Sequence, residues 1–243
     1  MLLAAGITAA LVEYSRTPLF DKPVFAQQVQ GLANVPEAAL QPSTSRSTGI
    51  TGYGTSLIVA RGVSLRALLS YAYGSPSSSF FKWSGHRVIL PPGVADGKFD
   101  FILAAPAQGK GALQAEIKRQ LGLVAHHELR TMDALVLMVP NPGAVELKAT
   151  NGGNSSDSRG LGKFEFTNQA IGDLSDALED DLEKPVLNET ELAQKYSGSL
   201  KWNHQSDPAA ELREIQGSLS AQCGLALVPS REPVEMLVVE KVP

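Results

Sequence analysis

Three adjacent residues that can bind metals or transfer protons, His126-His127-Glu128, are followed closely by Arg130. A zinc site on a helix needs histidines at positions i and i+4. On a strand, adjacent side chains point to opposite faces, so His126 and His127 would not share one metal ion. We therefore expect no metal site. We expect His126, His127, Glu128 and Arg130 to form a weak polar site of strand residues, with an ion pair to a neighbouring strand.

The residues that could act as nucleophiles lack the neighbours that activate them. Cys223 is the only cysteine and lies in an apolar helical pattern with Leu219 and Leu225, so we expect it to be buried. The sequence has no Gly-x-Ser-x-Gly motif. The turn Gly109-Lys110-Gly111 lacks the full spacing of a phosphate-binding loop. These patterns predict that the protein is not an enzyme and uses no cofactor.

Composition and charge narrow the class of partner. The net charge is −4 and no dense Lys/Arg run is present, so we expect no nucleic-acid partner. Hydrophobic residues make up 43% of the chain, enough for a folded core. The acidic residues within 173–183 alternate with leucines, which predicts the solvated face of an amphipathic helix.

The first 26 residues form a candidate leader or anchor. Their apolar run is shorter than the roughly 20 residues that a membrane-spanning helix needs. It fits an atypical export signal, an uncleaved anchor that docks on a membrane complex, or an ordinary amphipathic helix. The apolar residues that would form the anchor are Leu2, Leu3, Ile7, Leu11 and Val12.

The rest of the chain divides into two similar halves. Residues 27–55 are rich in Pro, Ser, Thr and Gly and predict an extended lead-in. Residues 146–162 contain a Gly/Ser/Asn-rich run and predict a linker. This assigns 56–145 to a first module and 163–243 to a second module.

Each half has the same predicted order of elements. A shift of 102 positions aligns Gln120-Leu121-Gly122-Leu123 with Gln222-Cys223-Gly224-Leu225, so Gly122 and Gly224 are both expected to cap a helix. We predict an α+β fold. It would be a tandem repeat of two small two-layer modules, each β-α-β-β-α-β-β, with helices packed on one face of a mixed sheet.

Several short motifs in order carry a family resemblance. They are Val63-Ser64-Leu65-Arg66-Ala67-Leu68-Leu69, Ala72-Tyr73-Gly74, Phe99-Asp100-Phe101, Leu121-Gly122-Leu123, His127-Glu128, Arg130, Lys184-Pro185-Val186, Tyr196-Ser197-Gly198-Ser199-Leu200-Lys201-Trp202 and Pro233-Val234-Glu235-Met236-Leu237-Val238-Val239. With these motifs the chain resembles a soil-associated family of exported bacterial proteins of unknown function. In its order of elements, each half also resembles the short N-terminal domain of secretins and TonB-dependent receptors, a docking module.

These resemblances imply a protein that works outside the cytoplasm, in the periplasm, with or without membrane association. We expect a non-catalytic interaction or structural module of the bacterial cell envelope. Its partner would be another protein, and an integral membrane complex joined through the N-terminal segment is one form of this expectation. The alternative from a different class is an extracytoplasmic sensor of a small ligand or metal.

Overall fold

The computed structural model describes residues 37–53, 57–74, 85–104 and 109–242, with the backbone alone for 51–53. The predicted leader and its anchor residues Leu2, Leu3, Ile7, Leu11 and Val12 lie outside these residues. The chain forms two compact units, each described here by itself. In the described residues the first unit comprises 37–53, 57–74, 90–104, 109–125 and 239–242, and the second comprises 85–89 and 126–238.

In its described residues the first unit is an antiparallel four-stranded sheet with two helices, and its strand order is β1-β5-β3-β2. Its elements are β1 (Ala38–Pro42), β2 (Gly49–Tyr53), β3 (Leu57–Ser64), α1 (Leu65–Tyr73), β5 (Lys98–Ala104) and α2 (Lys110–Leu121). Helix α1 begins where the Ser64 hydroxyl accepts a hydrogen bond from the Ala67 amide. Its apolar residues at helical spacing, Leu65, Leu68, Leu69 and Ala72, are buried.

The second unit contains two sheets and two helices. One sheet is antiparallel with the order β7-β11-β9-β8, and the other has the order β10-β6-β12-β4. Its elements are β4 (Val88–Ile89), β7 (Lys148–Thr150), β8 (Ser156–Gly160), β9 (Lys163–Ala170), α3 (Ile171–Leu182), β10 (Val186–Asn188), β11 (Lys195–Lys201), α4 (Pro208–Cys223) and most of β6 (Leu123–Met138) and β12 (Ala226–Lys241). Strands β10 and β4 pair in parallel with β6 and β12 respectively.

The core of the second unit lies between its helices and sheets. Apolar side chains of α3 and α4, among them Leu174, Leu178, Ile215 and Leu219, are buried against strand residues such as Phe164. Cys223 is fully buried in the same core, as its apolar neighbours predicted.

The two long strands begin directly after a helix that ends in glycine. Gly122 and Gly224 cap α2 and α4 with φ of 63° and 66°, as the sequence predicted. Glycine adopts this left-handed conformation without the clash that a Cβ would cause. The chain therefore turns sharply from helix into β6 and β12, which are each 16 residues long.

The predicted α+β class is confirmed. The order of elements β3-α1-β4-β5-α2-β6 recurs as β9-α3-β10-β11-α4-β12. Each run ends in one long strand, whereas the sequence predicted two. The middle of each long strand is rich in polar residues, and β12 also contains Pro229 and Pro233. Both prolines are exposed, and a strand tolerates proline where its missing N–H has no neighbouring strand to pair with.

The segments predicted to be lead-in and linker also contain strands. In the described part of 27–55 lie β1 and β2, and within 146–162 lie β7 and β8. All five residues of β8 are exposed, and the strand is held by pairing with β9. The residues of this exposed edge strand, SDSRG, are polar and small like those of a solvated coil, which is why the sequence predicted a linker. In the described part of the chain, no helix is long and apolar enough to cross a membrane.

Candidate functional site

A largely exposed part of the second unit is a pair of neighbouring strand segments, residues 126–133 of β6 and 228–235 of β12, which we call the β6–β12 ribbon. Asp133 contacts Arg231 at 3.5 Å, and His127 Nδ1 lies 3.3 Å from Glu235 Oε1. Because the contact positions run in opposite directions along the chain, the two strands are antiparallel.

Side chains on both faces of the ribbon reach solvent. In β6 from His126 to Asp133, none of the residues is buried, whereas the four that follow, 134–137, all are. Leu129 has 70% of its surface exposed, and Val228 on β12 is also among the exposed large hydrophobic residues. The ribbon is not exposed throughout, because Val234 of β12 is buried in a small cluster with Ala134 and Met236. Leu129 lies outside the buried core, which makes it a candidate contact residue.

The four residues predicted to form a polar site all lie on this ribbon. Glu128 accepts two hydrogen bonds from the Arg130 guanidinium, and the Nε–Oε1 distance is 2.9 Å. His126 Nε2 lies 3.8 Å from Glu128, so these three residues share one face. His127 lies on the other face beside Glu235. The structure thus separates His126 from His127, and it is His127 that makes a cross-strand contact, with Glu235.

The charged groups of the ribbon stabilise each other. The hydrogen bond from Arg130 lowers the pKa of Glu128, and the same bond raises the pKa of Arg130. Both groups therefore stay charged near neutral pH and present fixed charges of opposite sign. Among the described residues, no cluster of three or more His, Cys, Asp or Glu side chains could hold a metal ion.

Within the described ranges of the chain, no strand neighbours one backbone edge of β6 at Leu129. Toward β10, Leu135 N donates to Pro185 O at 2.8 Å; toward β12, Gly122 O accepts from Val242 N at 2.8 Å. Along a strand the backbone N–H and C=O groups of successive residues point alternately to the two neighbouring strands. Even-numbered residues of β6 therefore direct these groups toward β12, as Gly122 does, and odd-numbered residues such as Leu129 direct them away from β12. In the part of the chain that the structure describes, β10 pairs with β6 only at 135–137. Among the described residues, Leu129 therefore has no neighbouring strand on this edge.

The outer edge of β12, on the side away from β6, contains prolines that lack a backbone N–H. Val242 donates toward β6, so even-numbered residues of β12 face that strand and odd-numbered residues face away. Pro229 and Pro233 occupy two of these outward positions. Proline has no N–H to offer a further strand, and natural sheets use it to block exposed edges. The ribbon thus has one blocked edge and one open edge.

A buried carboxylate, Glu211, organises the loop that follows β11. It accepts hydrogen bonds from Trp202 Nε1 at 2.6 Å and from the Gln205 amide at 2.5 Å, and lies 3.0 Å from His204 Nδ1. Burial alone would raise the pKa of Glu211, but these hydrogen bonds outweigh it and the pKa lies below its ordinary value. All its partners are structural, so we assign Glu211 to stability.

A second buried carboxylate, Glu179, shows where the sequence pattern was misleading. It was expected on the solvated face of α3, but its side chain is only 2% exposed. Arg87 binds it through Nε and Nη2, and the Val186 amide donates to it at 2.9 Å. No sequence pattern pointed to this pair, because Arg87 lies 92 positions from Glu179.

Comparison with known proteins matches the chain to one family of proteins of unknown function. The family model described as "Protein of unknown function (DUF3738)" matches residues 67–242, most of the chain. The protein belongs to this family. The prediction of a family of unknown function is confirmed at that level. No curated protein matches the chain, and no solved structure matches it.

Proposed function

We propose that the protein is a non-catalytic interaction module of the bacterial cell envelope that binds a partner protein through the β6–β12 ribbon. One observation carries the proposal: Leu129, 70% exposed, lies on the open edge of β6, whose outward N–H and C=O groups have no neighbouring strand in the described chain. An extended segment of a partner can pair with such an edge through main-chain hydrogen bonds. Side chains on the ribbon would then select the partner.

The chemistry of the described side chains favours binding over catalysis. The Cys223 thiol is buried, and burial raises its pKa to about 11, so it stays protonated near neutral pH. Glu128 and Arg130 of the ribbon are paired with each other in exposed positions. Such groups suit recognition of a complementary surface better than proton transfer in an enclosed site.

The location in the envelope rests on sequence and resemblance. The apolar run of residues 1–26 suits an export signal or an anchor. The chain resembles soil-associated exported proteins, and its halves resemble the docking domain of secretins and TonB-dependent receptors. If residues 1–26 are retained, the protein would be a peripheral subunit of a membrane complex.

Photo-cross-linking in the native envelope tests the proposed surface. A photoreactive amino acid would replace Leu129, and the matched control would replace Leu161, which is 85% exposed and lies between β8 and β9. We expect a discrete protein cross-link from position 129 and none from 161. Equal labelling from both positions, or none from either, would contradict the proposal. Mass spectrometry of the cross-linked chain would also identify its N-terminal residue.

A further inference from the structure

The edge of β6 at Leu129, which no strand of the described residues pairs with, is complementary to itself. We infer that two copies of the chain pair through this edge, antiparallel and centred on Leu129. The inference rests on the proposed function and names the partner as a second copy. Three features of the strand carry it: the direction of the backbone groups, the position of the exposed leucine and the order of the charges.

The backbone direction permits a two-fold pair at Leu129. When two identical strands pair about a two-fold axis, the residue on the axis faces its own counterpart. Leu129 directs its N–H and C=O to the open edge, by the alternation fixed at Leu135 and Gly122. The two Leu129 residues can therefore exchange two hydrogen bonds. Their side chains, each 70% exposed in one copy, would lie side by side.

The charges beside Leu129 are compatible with the same register. With Leu129 on the axis, Glu128 lies opposite the partner subunit's Arg130, and Arg130 lies opposite the partner subunit's Glu128. The two residues already share one face of the ribbon, because Arg130 binds Glu128 of its own chain at 2.9 Å. The four charges would alternate in sign. A pair centred on Glu128 or Arg130 would instead bring like charges together, which destabilises a cross-strand pair.

The other strand of the ribbon does not offer the same possibility. On β12 the outward positions include Pro229 and Pro233, which cannot donate to a partner strand. Outward positions of β6 between Leu129 and Asp133 contain no proline. Self-association through this sheet is therefore directed to β6.

Sedimentation equilibrium of the full chain over a range of concentrations tests the pairing. Leu129→Pro removes the N–H on the axis and should abolish the dimer. The single variants Glu128→Arg and Arg130→Glu each place like charges opposite one another, so the dimer Kd should rise at least about tenfold. The double variant restores alternating charges and should return within about threefold of the original Kd. Arg231→Glu, the same charge change on the exposed β12 Arg231, should leave the Kd unchanged.

Circular dichroism of each variant checks that it is folded. If one of the single variants folds poorly, the Kd of the double variant Glu128→Arg, Arg130→Glu still tests whether the charges pair across the dimer. A chain that stays monomeric, or a double variant as weak as the single ones, overturns the dimer. A cross-link from position 129 to a different protein also overturns the dimer while leaving the proposed function standing. If position 129 gives no protein cross-link at all, both proposals fail.

Discussion

The two helix-capping glycines provide a matched test of backbone packing, because they have the same conformation but different surroundings. Gly122 and Gly224 have φ of 63° and 66°. A Cβ at Gly122 would meet nothing within 4 Å, whereas a Cβ at Gly224 would lie 1.7 Å from the carbonyl oxygen of Ala144. Replacing each with alanine separates the cost of the left-handed conformation from the cost of the clash.

The magnitudes follow from these distances. Alanine in the left-handed conformation costs about 1–2 kcal/mol, and this cost applies to both variants. Carbon and oxygen normally approach no closer than about 3.3 Å, so Ala144 would have to move by roughly 1.5 Å. It lies next to a segment held by the hydrogen bond from Glu146 N to Cys223 O, 3.2 Å long. Overpacking of this kind adds about 1–3 kcal/mol.

We therefore expect Gly224→Ala to lower the free energy of unfolding by about 1–3 kcal/mol more than Gly122→Ala. The assay is urea unfolding of the full chain followed by circular dichroism. Hydrogen exchange measured by mass spectrometry on peptides from α2 and α4 assigns the loss to each helix. Equal losses for the two variants would refute the reasoning that the Ala144 carbonyl restricts position 224.

Three further predictions concern buried groups of the second unit. Arg87→Met should lower the free energy of unfolding by about 3–5 kcal/mol, because it leaves the buried Glu179 carboxylate without its guanidinium partner. The double variant Arg87→Met, Glu179→Leu should be less destabilised than the single variant, and the midpoints of urea unfolding would measure the difference. Because the pKa of Glu211 is lower in the folded protein, its stabilisation is present above the ordinary value of 4.5 and is lost as the pH falls. Glu211→Gln should flatten that acid dependence of unfolding, and an unchanged dependence would argue against this account. The Cys223 thiol, with its pKa raised to about 11 by burial, should react with a thiol reagent near neutral pH only after unfolding; rapid labelling of the native chain would contradict its placement in the core.

Local patterns of the sequence predicted the helices well. The spacing of Leu65, Leu68 and Leu69 places them on one helical face, and all three are buried. The glycines at 122 and 224 predicted the ends of their helices because few other residues adopt that conformation. The helical spacing of leucines and the glycine at a helix end both depend on residues that are close together in the chain, so they can be recognised in a single sequence.

Features that depend on distant partners could not be read in this way. Strand β8 is polar and exposed, and it is a strand because β9 supplies its hydrogen bonds. Glu179 belongs to an acidic run, and its burial follows from Arg87, far away in the chain. The sequence did single out His126, His127, Glu128 and Arg130. The open edge beside them depends on β10 ending its pairing with β6 at residues 135–137.

The prolines of β12 have a consequence for how large an assembly can grow. A sheet that can be extended from both sides adds molecules without limit and forms a fibre, whereas a sheet that can be extended from one side closes after a single addition. Pro229 and Pro233 remove two outward donors from one side of this sheet, while the β6 side stays open. If two chains pair through β6 as proposed, replacing both prolines would let further copies add to the β12 side. On that proposal the two prolines limit the assembly to a pair, and this role is separate from any contribution to the stability of the single chain.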